Sequence, residues 1–460
     1  MIFDSLFGDP DVDAVLSDAH RIAAMLHVEV ALARAEAATG VIPVRAVDAI
    51  AQSADVADYD LHALAREAVI SGNLAIPLVQ RLTEHVGRVD EDSARYVHWG
   101  ATSQDIIDTA MVLQLREATE IVLRSLARAS DAAEALARRH GATVMPGRTW
   151  LQHATPVTFA LKAAGWMSAL DRAHAHLADA LVGALVLQFG GASGTLAALG
   201  DRGPEVAAMM GDALRLAVPE LPWHAHRDRL ATLACALGVA TGTMGKIARD
   251  IALLAQTEVA EAFESAAGGR GGSSTMPQKR NPVGASVVLA ASVRAPGLVA
   301  TMLSAMPQEH ERGLGGWQAE WETLPELVHL AGGAATHMVR MLAALEVDAK
   351  KMRADVDMTD GVSLAESISM ALATHLGKAE AHRTITAASR RALAEHRPLA
   401  EVLASMPEVT NHLSNEEITR RLSAEQYLGA SEEMVRAALE HRARARARAA
   451  EHPEAPRGST

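Results

Sequence analysis

The chain is organised around a glycine-rich stretch, Gly268-Gly269-Arg270-Gly271-Gly272-Ser273-Ser274-Thr275-Met276-Pro277-Gln278-Lys279-Arg280-Asn281-Pro282. Four glycines in five residues disfavour a helix or strand, because glycine loses more backbone freedom on ordering than any other residue. Pro282 suits the first turn of a following helix, where its missing N–H is no loss. A flexible loop that ends at a helix N-terminus can bind a carboxylate through free N–H groups and the helix dipole. A simple linker is the alternative for such a composition.

The composition predicts an all-α protein. The 460 residues are 49% hydrophobic but only 3% aromatic, and alanine and leucine are abundant. Both residues lose little side-chain freedom on entering a helix. Several segments with helical spacing exceed 25 residues without an internal stop, which favours a bundle of long helices.

The net charge of −13 argues against a nucleic-acid partner, since phosphate binding requires a basic surface. A protein with this charge can bind an anionic metabolite only by gathering cations and N–H groups in one cleft. The single cysteine, Cys235, excludes an internal disulfide and is expected to be a small core residue. We find no signal peptide, no charge-free apolar run of membrane-spanning length and no metal-ligand spacing, so we expect a soluble cytoplasmic protein without a metal site.

The N-terminal segment carries local helix signals. Asp9-Pro10 predicts an N-cap followed by proline at the first helical position, and Gly40 predicts the C-terminal stop of one helix between them.

The segment Tyr96–Asp105 interrupts the helical pattern with a histidine, His98, and two hydroxyl residues, Thr102 and Ser103, ahead of a long amphipathic run from Ile106 to His140. Ser103 or Asp105 could serve only as a helix cap. A binding role is compatible with capping.

The segment Pro146–Pro156 contains Thr149, Trp150, Gln152 and His153. Thr155-Pro156 repeats the cap-and-proline pattern and predicts a helix from there to about Leu187. Further long helices are predicted from Arg227 to Ser265 and from Pro282 to about Ser304.

The last third of the chain offers weaker signals. Arg312 follows Glu311, and such a pair is usually a solvated surface feature. Ser414-Asn415-Glu416-Glu417 has the spacing of a capping box. The alternating arginines from Arg442 to Arg448 predict a frayed, solvated basic helix followed by a disordered tail, with nucleic-acid binding as a remote alternative.

The glycine-rich stretch resembles the signature loop of the class II fumarase/aspartase superfamily, whose members form or break a bond beta to a carboxylate. The segments at 96–105 and 146–156 resemble its two other signature regions. The resemblance implies that Ser273 is the catalytic base. It also implies a set of residues that bind the substrate's carboxylates. His98 and His153 are candidates for binding a carboxylate or tuning the serine, and packing at the start of a helix is the alternative for His153. The carboxylate-binding set is Thr102, Ser103, Thr149, Gln152, Ser274, Lys279, Asn281 and Arg312.

The resemblance covers nearly the whole chain and implies three domains. These are an N-terminal helical domain at 1–105, a central bundle at 106–350 with the signature loop at 268–282, and a C-terminal helical domain at 351–460. It further implies a homotetramer whose active sites are shared between subunits. It implies a small polycarboxylate substrate, and we expect no cofactor, no nucleic-acid partner and no membrane partner.

Trp150 stands where the lyases of the superfamily carry their general-acid histidine. An indole N–H donates hydrogen bonds but cannot act as an acid. A carboxylate leaving group needs no proton, because it is stable as an anion at neutral pH. The segments around Trp150 and Ser71–Pro77 resemble the superfamily's lactone-forming cycloisomerases, which act on 3-carboxy-cis,cis-muconate in the protocatechuate branch of the beta-ketoadipate pathway. An adenylosuccinate lyase-like or other fumarate-releasing lyase and a catalytically silent helical scaffold are the alternatives.

Overall fold

The computed structural model describes residues 3–272 and 275–451. Ser273, Ser274 and the predicted tail at 452–460 lie outside the described residues. The helices in chain order are α1 (Asp4–Phe7), α2 (Pro10–Val15), α3 (Asp18–Ala38), α4 (Val44–Gln52), α5 (Leu61–Ser71), α6 (Ala75–Val89), α7 (Ser103–Arg139), α8 (Phe159–Ala184), α9 (Gly203–Leu214), α10 (Asp228–Leu254), α11 (Val283–Ala305), α12 (Gly316–Ala343), α13 (Ala349–Asp357), α14 (Ala365–Leu376), α15 (Lys378–Glu395), α16 (Leu399–Ala404), α17 (Pro407–Thr410), α18 (Asn415–Arg421) and α19 (Ser431–Glu451). The strands are β1 (Val144–Thr149), β2 (Gln152–Thr158), β3 (Ala262–Phe263) and β4 (Glu346–Val347). The all-α prediction is confirmed.

The core is a bundle of five long helices, α7, α8, α10, α11 and α12, which pack side by side. Alanines at their facing positions are fully buried. Small side chains let helix axes approach closely, so dense packing is achieved with little aromatic bulk. The buried alanines of this kind include Ala133, Ala163, Ala240, Ala291 and Ala331.

The N-terminal cap was predicted correctly, but the single helix behind it was not. Asp9 accepts hydrogen bonds from the N–H groups of Asp11 and Val12, with Pro10 at the start of α2. That helix ends at Val15, and Ser17 caps a new helix, α3. The chain leaves α3 through Gly40, whose φ of +75° is readily adopted only by glycine.

The prediction that a helix begins at Thr155-Pro156 is wrong. Both residues lie in β2, which pairs antiparallel with β1, and α8 begins only at Phe159 with Thr158 as its cap. Strand pairing with β1 determines the conformation here, and the local cap-and-proline pattern does not. The helix predicted from Arg227 to Ser265 also ends earlier, at Leu254, before the short pairing of β3 with β4.

The sequence predicted that the C-terminal arginine run is a frayed, solvated helix, but one of its arginines is buried. Arg442 on α19 is only 5% exposed and bonds to Asp131 at 2.8 Å and to Asp171 at 3.0 Å, and its guanidinium also bonds to Glu134. These carboxylates belong to α7 and α8, so α19 is anchored to the bundle. Ser414 is the N-cap of α18, because its hydroxyl accepts from the N–H of Glu417, which is one of the two hydrogen bonds of the predicted capping box.

The apolar residues form two main cores. The larger core runs from Val12 to Met352, is joined by Val435, and includes residues of both the first hundred positions and the long bundle. A second core, from Ile368 to Ile418, lies within α14–α18. The domain boundaries given above remain a prediction.

Two helices, α10 and α11, are long and apolar enough to cross a membrane when length and composition alone are considered. Buried core helices share these properties, and 56% of the apolar window of α10 is buried in the fold, against 33% of that of α11. Arg294 interrupts α11, in keeping with the absence of a long charge-free run.

Candidate active site

The start of α7 is built around the buried carboxylate of Asp105. It accepts the N–H of Thr102 at 3.1 Å, and the N–H groups of Gly190 and Gly191 at 3.0 and 2.9 Å. His224 Nε2 lies 2.8 Å from it. Thr102 is the N-cap residue, so Ser103, which the sequence offered as a cap, is the first residue of the helix. Asp105 thus fixes the backbone that presents Thr102 and Ser103, both of which stay partly exposed.

His98 precedes this helix start and lies beside a buried glutamate that sequence analysis did not identify. Its Nδ1 is 2.6 Å from Oε1 of Glu29 on α3. Burial lowers the pKa of His98, but the adjacent Glu29 carboxylate outweighs burial and raises the pKa above 6.5. His98 therefore carries positive charge more readily than an ordinary histidine, which suits the binding of an anion.

A buried ion-pair cluster supports the same end of the bundle. Arg227 bonds to Asp108 at 2.6 Å and to Glu320 at 3.0 Å, and all three side chains are at most 1% exposed. Trp317 Nε1 also donates to Asp108 at 2.9 Å. Burial raises the pKa of Glu320, and the hydrogen bonds from Arg227 oppose the rise. The cluster joins α7 and α12 to Arg227, the residue that precedes α10, and residues so far apart in sequence leave no local motif.

Arg312 lies at this end too. Its guanidinium donates to the carbonyl oxygen of Ala192 at 2.9 Å, next to the glycines held by Asp105. The alternative of a solvated surface pair with Glu311 is therefore not favoured, because the hydrogen bond of Arg312 goes to a backbone carbonyl. His98, Thr102, Ser103 and Arg312 therefore share one end of the bundle.

The second candidate region is a protruding β-hairpin. Thr149 pairs with Gln152 across a two-residue turn formed by Trp150 and Leu151, whose φ values are +52° and +64°. Trp150 is 97% exposed in the single chain and Leu151 is 79% exposed. Left-handed backbone is unfavourable for both residues. These two large apolar side chains contribute nothing to the core. Their exposure at the turn therefore indicates an interface or a binding site.

His153 follows at the start of β2, where it is paired with Arg148 in the strand register. Burial, and then the charge of Arg148, lowers the pKa of His153. His153 is therefore neutral near pH 7 and lies in the hairpin itself. The expectation that it packs at the start of a helix is wrong, because α8 begins six residues later.

The third region, the glycine-rich loop, is closed at its base by two residues. The N–H of Asn281 donates to the carbonyl oxygen of Gly271 at 2.8 Å, and Gly271 has φ of +71°. Arg280 anchors the returning chain through the Glu264 carbonyl and the Glu346 carboxylate, each at 2.8 Å. Lys279 is exposed. Ser273 and Ser274, the predicted base and its neighbour, lie outside the described residues.

The N-terminus of α11 is already occupied by a protein carboxylate. Glu264 accepts the N–H of Gly284 at 2.9 Å and that of Ala285 at 2.7 Å. Pro282 precedes the helix at the N-cap position, so the expectation of proline at the first helical position is wrong by one residue. Two of the N–H groups expected to bind a carboxylate of a ligand are therefore used by the protein's own Glu264.

The three regions lie at two ends of the bundle. Helix α7 has 37 residues and, at about 1.5 Å per residue, spans about 55 Å. His98, Thr102 and Ser103 are at its start, and the hairpin follows its end. Arg148 of the hairpin bonds to Glu261 at 2.7 and 2.8 Å, close to the glycine-rich loop. One chain therefore places the base of the hairpin beside the segment that leads into the loop, at the opposite end of the bundle from the α7 start. Within the described residues, no three His, Cys, Asp or Glu side chains form a metal-binding group.

Comparison with known proteins gives the same assignment as the signature regions. A family model described as "Lyase" matches residues 12–297, and one described as "Adenylosuccinate lyase C-terminus" matches residues 361–438. The chain is 52% identical to the 3-carboxy-cis,cis-muconate cycloisomerase of Bradyrhizobium diazoefficiens, over 92% of this chain and 94% of the relative. It is 43% identical to the nitrosuccinate lyase of Streptomyces davaonensis, over 92% of this chain and 91% of the relative.

Comparison with a solved structure supports the same assignment. The 3-carboxy-cis,cis-muconate lactonizing enzyme from Pseudomonas putida superimposes with a TM-score of 0.91 at 46% identity, covering 96% of this chain and 99% of that one. Four relatives that carry the cycloisomerase name are 43–52% identical to this chain over at least 91% of its length. The chain belongs to the lyase family of the fumarase/aspartase superfamily, within its group of 3-carboxy-cis,cis-muconate cycloisomerases.

Proposed function

We propose that this chain catalyses the intramolecular lactonisation of 3-carboxy-cis,cis-muconate to a carboxymuconolactone, in the protocatechuate branch of aromatic catabolism. The proposal rests mainly on one observation. Trp150, an exposed indole at the hairpin tip, stands at the position where the lyases of the superfamily carry their general-acid histidine. Relatives of the same name at up to 52% identity support it.

The reaction requires no acid for its leaving group. In the lactonising direction a substrate carboxylate oxygen attacks the diene, a C–O bond forms, and the electron pair moves to the carbon beside another carboxylate. That carbon takes a proton from Ser273. In reverse, Ser273 removes the proton and the C–O electrons leave with the carboxylate, which is stable without protonation. Both reacting groups belong to one molecule, so positioning alone lowers much of the barrier.

The substrate's carboxylates are held by groups from all three regions. Lys279 supplies a cation, and Asn281, Thr102 and Ser103 supply hydrogen-bond donors, while Arg312 and a protonated His98 add positive charge. Thr149, Gln152 and His153 on the hairpin and Ser274 in the loop complete the site. Fixed donors of this kind stabilise the extra charge of the carbanion as it develops.

The site is assembled between subunits of a homotetramer. The separation of about 55 Å along α7 supports this arrangement, because one chain cannot bring its own α7 start to its own hairpin. Exposed apolar residues on α10 and α11 support it too, since Val239, Val293 and Leu303 are 57%, 77% and 47% exposed in the single chain. Such surfaces mark protein–protein contacts. We place the assembly in the cytoplasm.

A substrate panel tests the function. Purified protein is incubated with 3-carboxy-cis,cis-muconate, adenylosuccinate, argininosuccinate, malate and nitrosuccinate, and the loss of diene absorbance or the release of fumarate is followed. We expect turnover of the diene alone. Nitrosuccinate is included because of the 43% identical lyase, and fumarate from any of the other compounds without diene consumption would overturn the proposal.

The Ser273→Ala variant tests the mechanism. We expect it to lose nearly all turnover while keeping the helical circular dichroism spectrum of the wild type. Turnover at the wild-type rate would remove Ser273 from the reaction. If the wild type consumed none of the compounds, the silent-scaffold alternative would be favoured.

A further inference from the structure

The contact between Glu29 and His98 is the shortest histidine–carboxylate contact described at the end of the bundle where α7 begins, at 2.6 Å from Oε1 to Nδ1. The Glu29 side chain is 1% exposed and that of His98 is 18% exposed. His98 adopts a φ of +57°, which is unfavourable for a residue with a side chain. The backbone is therefore held in a strained conformation that brings the ring to the glutamate.

Glu29 is poorly satisfied by the rest of the fold. Its second oxygen, Oε2, has no hydrogen-bond partner within the described part of the chain. A buried carboxylate with so few partners costs stability. Glu29 therefore does not serve the fold, and its partner His98 lies four residues before Thr102 in the carboxylate-binding segment.

A second buried glutamate on the same helix provides a contrast. Glu36 is two helical turns from Glu29 and 0% exposed, and neither of its side-chain oxygens has a partner within the described residues. Burial, together with the nearby Glu29, raises the pKa of Glu36 to about 9. Glu36 is therefore neutral near pH 7, whereas Glu29 bonds to a histidine.

We propose that Glu29 is a positioning residue of the active site, which accepts the Nδ1–H of His98 and so directs Nε2 of the ring to one carboxylate of the substrate. The proposal rests on the proposed function and adds a residue to it. An ionised Glu29 favours the imidazolium form, whose Nε2–H can donate a charge-assisted hydrogen bond. A carboxylate that fixes a histidine ring also fixes which nitrogen reacts.

Two acidic groups act on His98, Glu29 from α3 and Asp105 from α7, and both favour its charged form. The pKa of His98 is raised in the folded protein, so the imidazolium persists to higher pH than in an isolated histidine. Loss of the Glu29 charge lowers that pKa. The alkaline limb of the kcat/KM profile is then expected at lower pH than in the wild type.

The test compares Glu29→Gln with the matched control Glu36→Gln on the full-length protein. A hydrogen bond to a charged group contributes about 1.5–3 kcal/mol, so we expect kcat/KM for 3-carboxy-cis,cis-muconate to fall roughly ten- to hundredfold in Glu29→Gln. Its melting temperature should be unchanged or higher, because a buried charge is removed. Glu29→Asp should recover part of the rate. Glu36→Gln should keep the wild-type rate and pH profile.

The pH profile and a double variant separate positioning from structure. We expect the alkaline limb to shift to lower pH in Glu29→Gln, and Glu29→Gln combined with His98→Asn to be no slower than His98→Asn alone. An unshifted limb, or additive losses in the double variant, would overturn the proposal.

A spectroscopic measurement keeps this test independent of the function. The resonance of His98 in protein with isotope-labelled histidine, assigned by its loss in His98→Asn, is titrated in the wild type and in Glu29→Gln. A lower pKa in Glu29→Gln supports the dyad even if the substrate panel fails, and an unchanged pKa overturns the proposal even if the panel succeeds.

Discussion

Arg148 donates two hydrogen bonds, at 2.7 and 2.8 Å, to the fully buried carboxylate of Glu261. Arg148 lies in β1, two residues before Trp150, and Glu261 immediately precedes β3, which leads into the glycine-rich loop. A single bidentate ion pair therefore connects the hairpin region to the segment that leads into the glycine-rich loop within one chain.

We expect Arg148→Met to destabilise the protein by about 3–5 kcal/mol, because it leaves the Glu261 carboxylate buried without its cation. Burial already raises the pKa of Glu261, and Arg148 opposes that rise. Denaturant midpoints measure the effect. Arg202→Met, which removes an exposed pair with Glu205, is the control and should change stability by less than about 1 kcal/mol. Equal losses in the two variants would contradict the connection described here.

Trp150→His tests the argument about the leaving group. Trp150 is 97% exposed in the single chain, so we expect the circular dichroism spectrum to stay unchanged while lactonisation falls by roughly tenfold or more, about 1.4 kcal/mol of barrier. We expect no fumarate from adenylosuccinate or malate, because an imidazole alone does not create a lyase. Leu151→His, at the neighbouring exposed position, is the control and should be less damaging. Wild-type lactonisation by Trp150→His would remove the indole from the site.

Gly271→Ala should disturb the loop base more than the fold. A Cβ there would lie 2.4 Å from the carbonyl oxygen of Asn281, so the two backbone segments must separate. A displacement of about 1 Å at a substrate-positioning residue costs on the order of 100-fold in rate. Gly268→Ala shares the positive φ but meets no atom within 4 Å, which makes it the matched control. Comparable kcat/KM values for the two variants would contradict the role of this contact.

Arg442→Met should loosen α19 and reveal a dependence on pH. The pKa of Glu134 is lowered, because hydrogen bonds from Arg138 and Arg442 outweigh burial. Because the pKa of Glu134 is lower in the folded protein, its ion pairs stabilise the fold at pH values above the ordinary pKa of 4.5. This stabilisation is lost as the pH falls through the pKa of the folded state. The stability difference between wild type and Arg442→Met should therefore be largest near neutral pH and shrink in acid. Arg444→Met, on the exposed side of α19, should show little difference at any pH.

The sequence predicted helix starts and caps best where they depend only on residues close to them in the chain. The cap at Asp9, the long helix after Thr102 and the cap at Ser414 are all local hydrogen-bonding patterns. Thr155-Pro156 has the same local pattern as Asp9-Pro10 but lies in a strand, because pairing with β1 outweighs it. Local signals are therefore reliable only where no distant partner competes for the backbone.

The supporting residues of the site could not be predicted from sequence. Arg227 meets Asp108 and Glu320 across 119 and 93 positions, and Glu264 reaches the start of α11 from 20 positions away. No spacing rule covers such distances. The signature residues were identifiable because they are clustered in short segments, whereas the side chains that hold them in place come from elsewhere in the fold.

The length of α7 also bears on how this sequence can change. In the proposed assembly, positions 98 and 150 of one copy serve different pockets, and each pocket draws on several copies encoded by one gene. A substitution at either position enters every pocket at once, and any compensating change must act across a subunit boundary. Selection on the two ends of a single helix is therefore linked through the assembly, although the residues concerned never meet within one molecule.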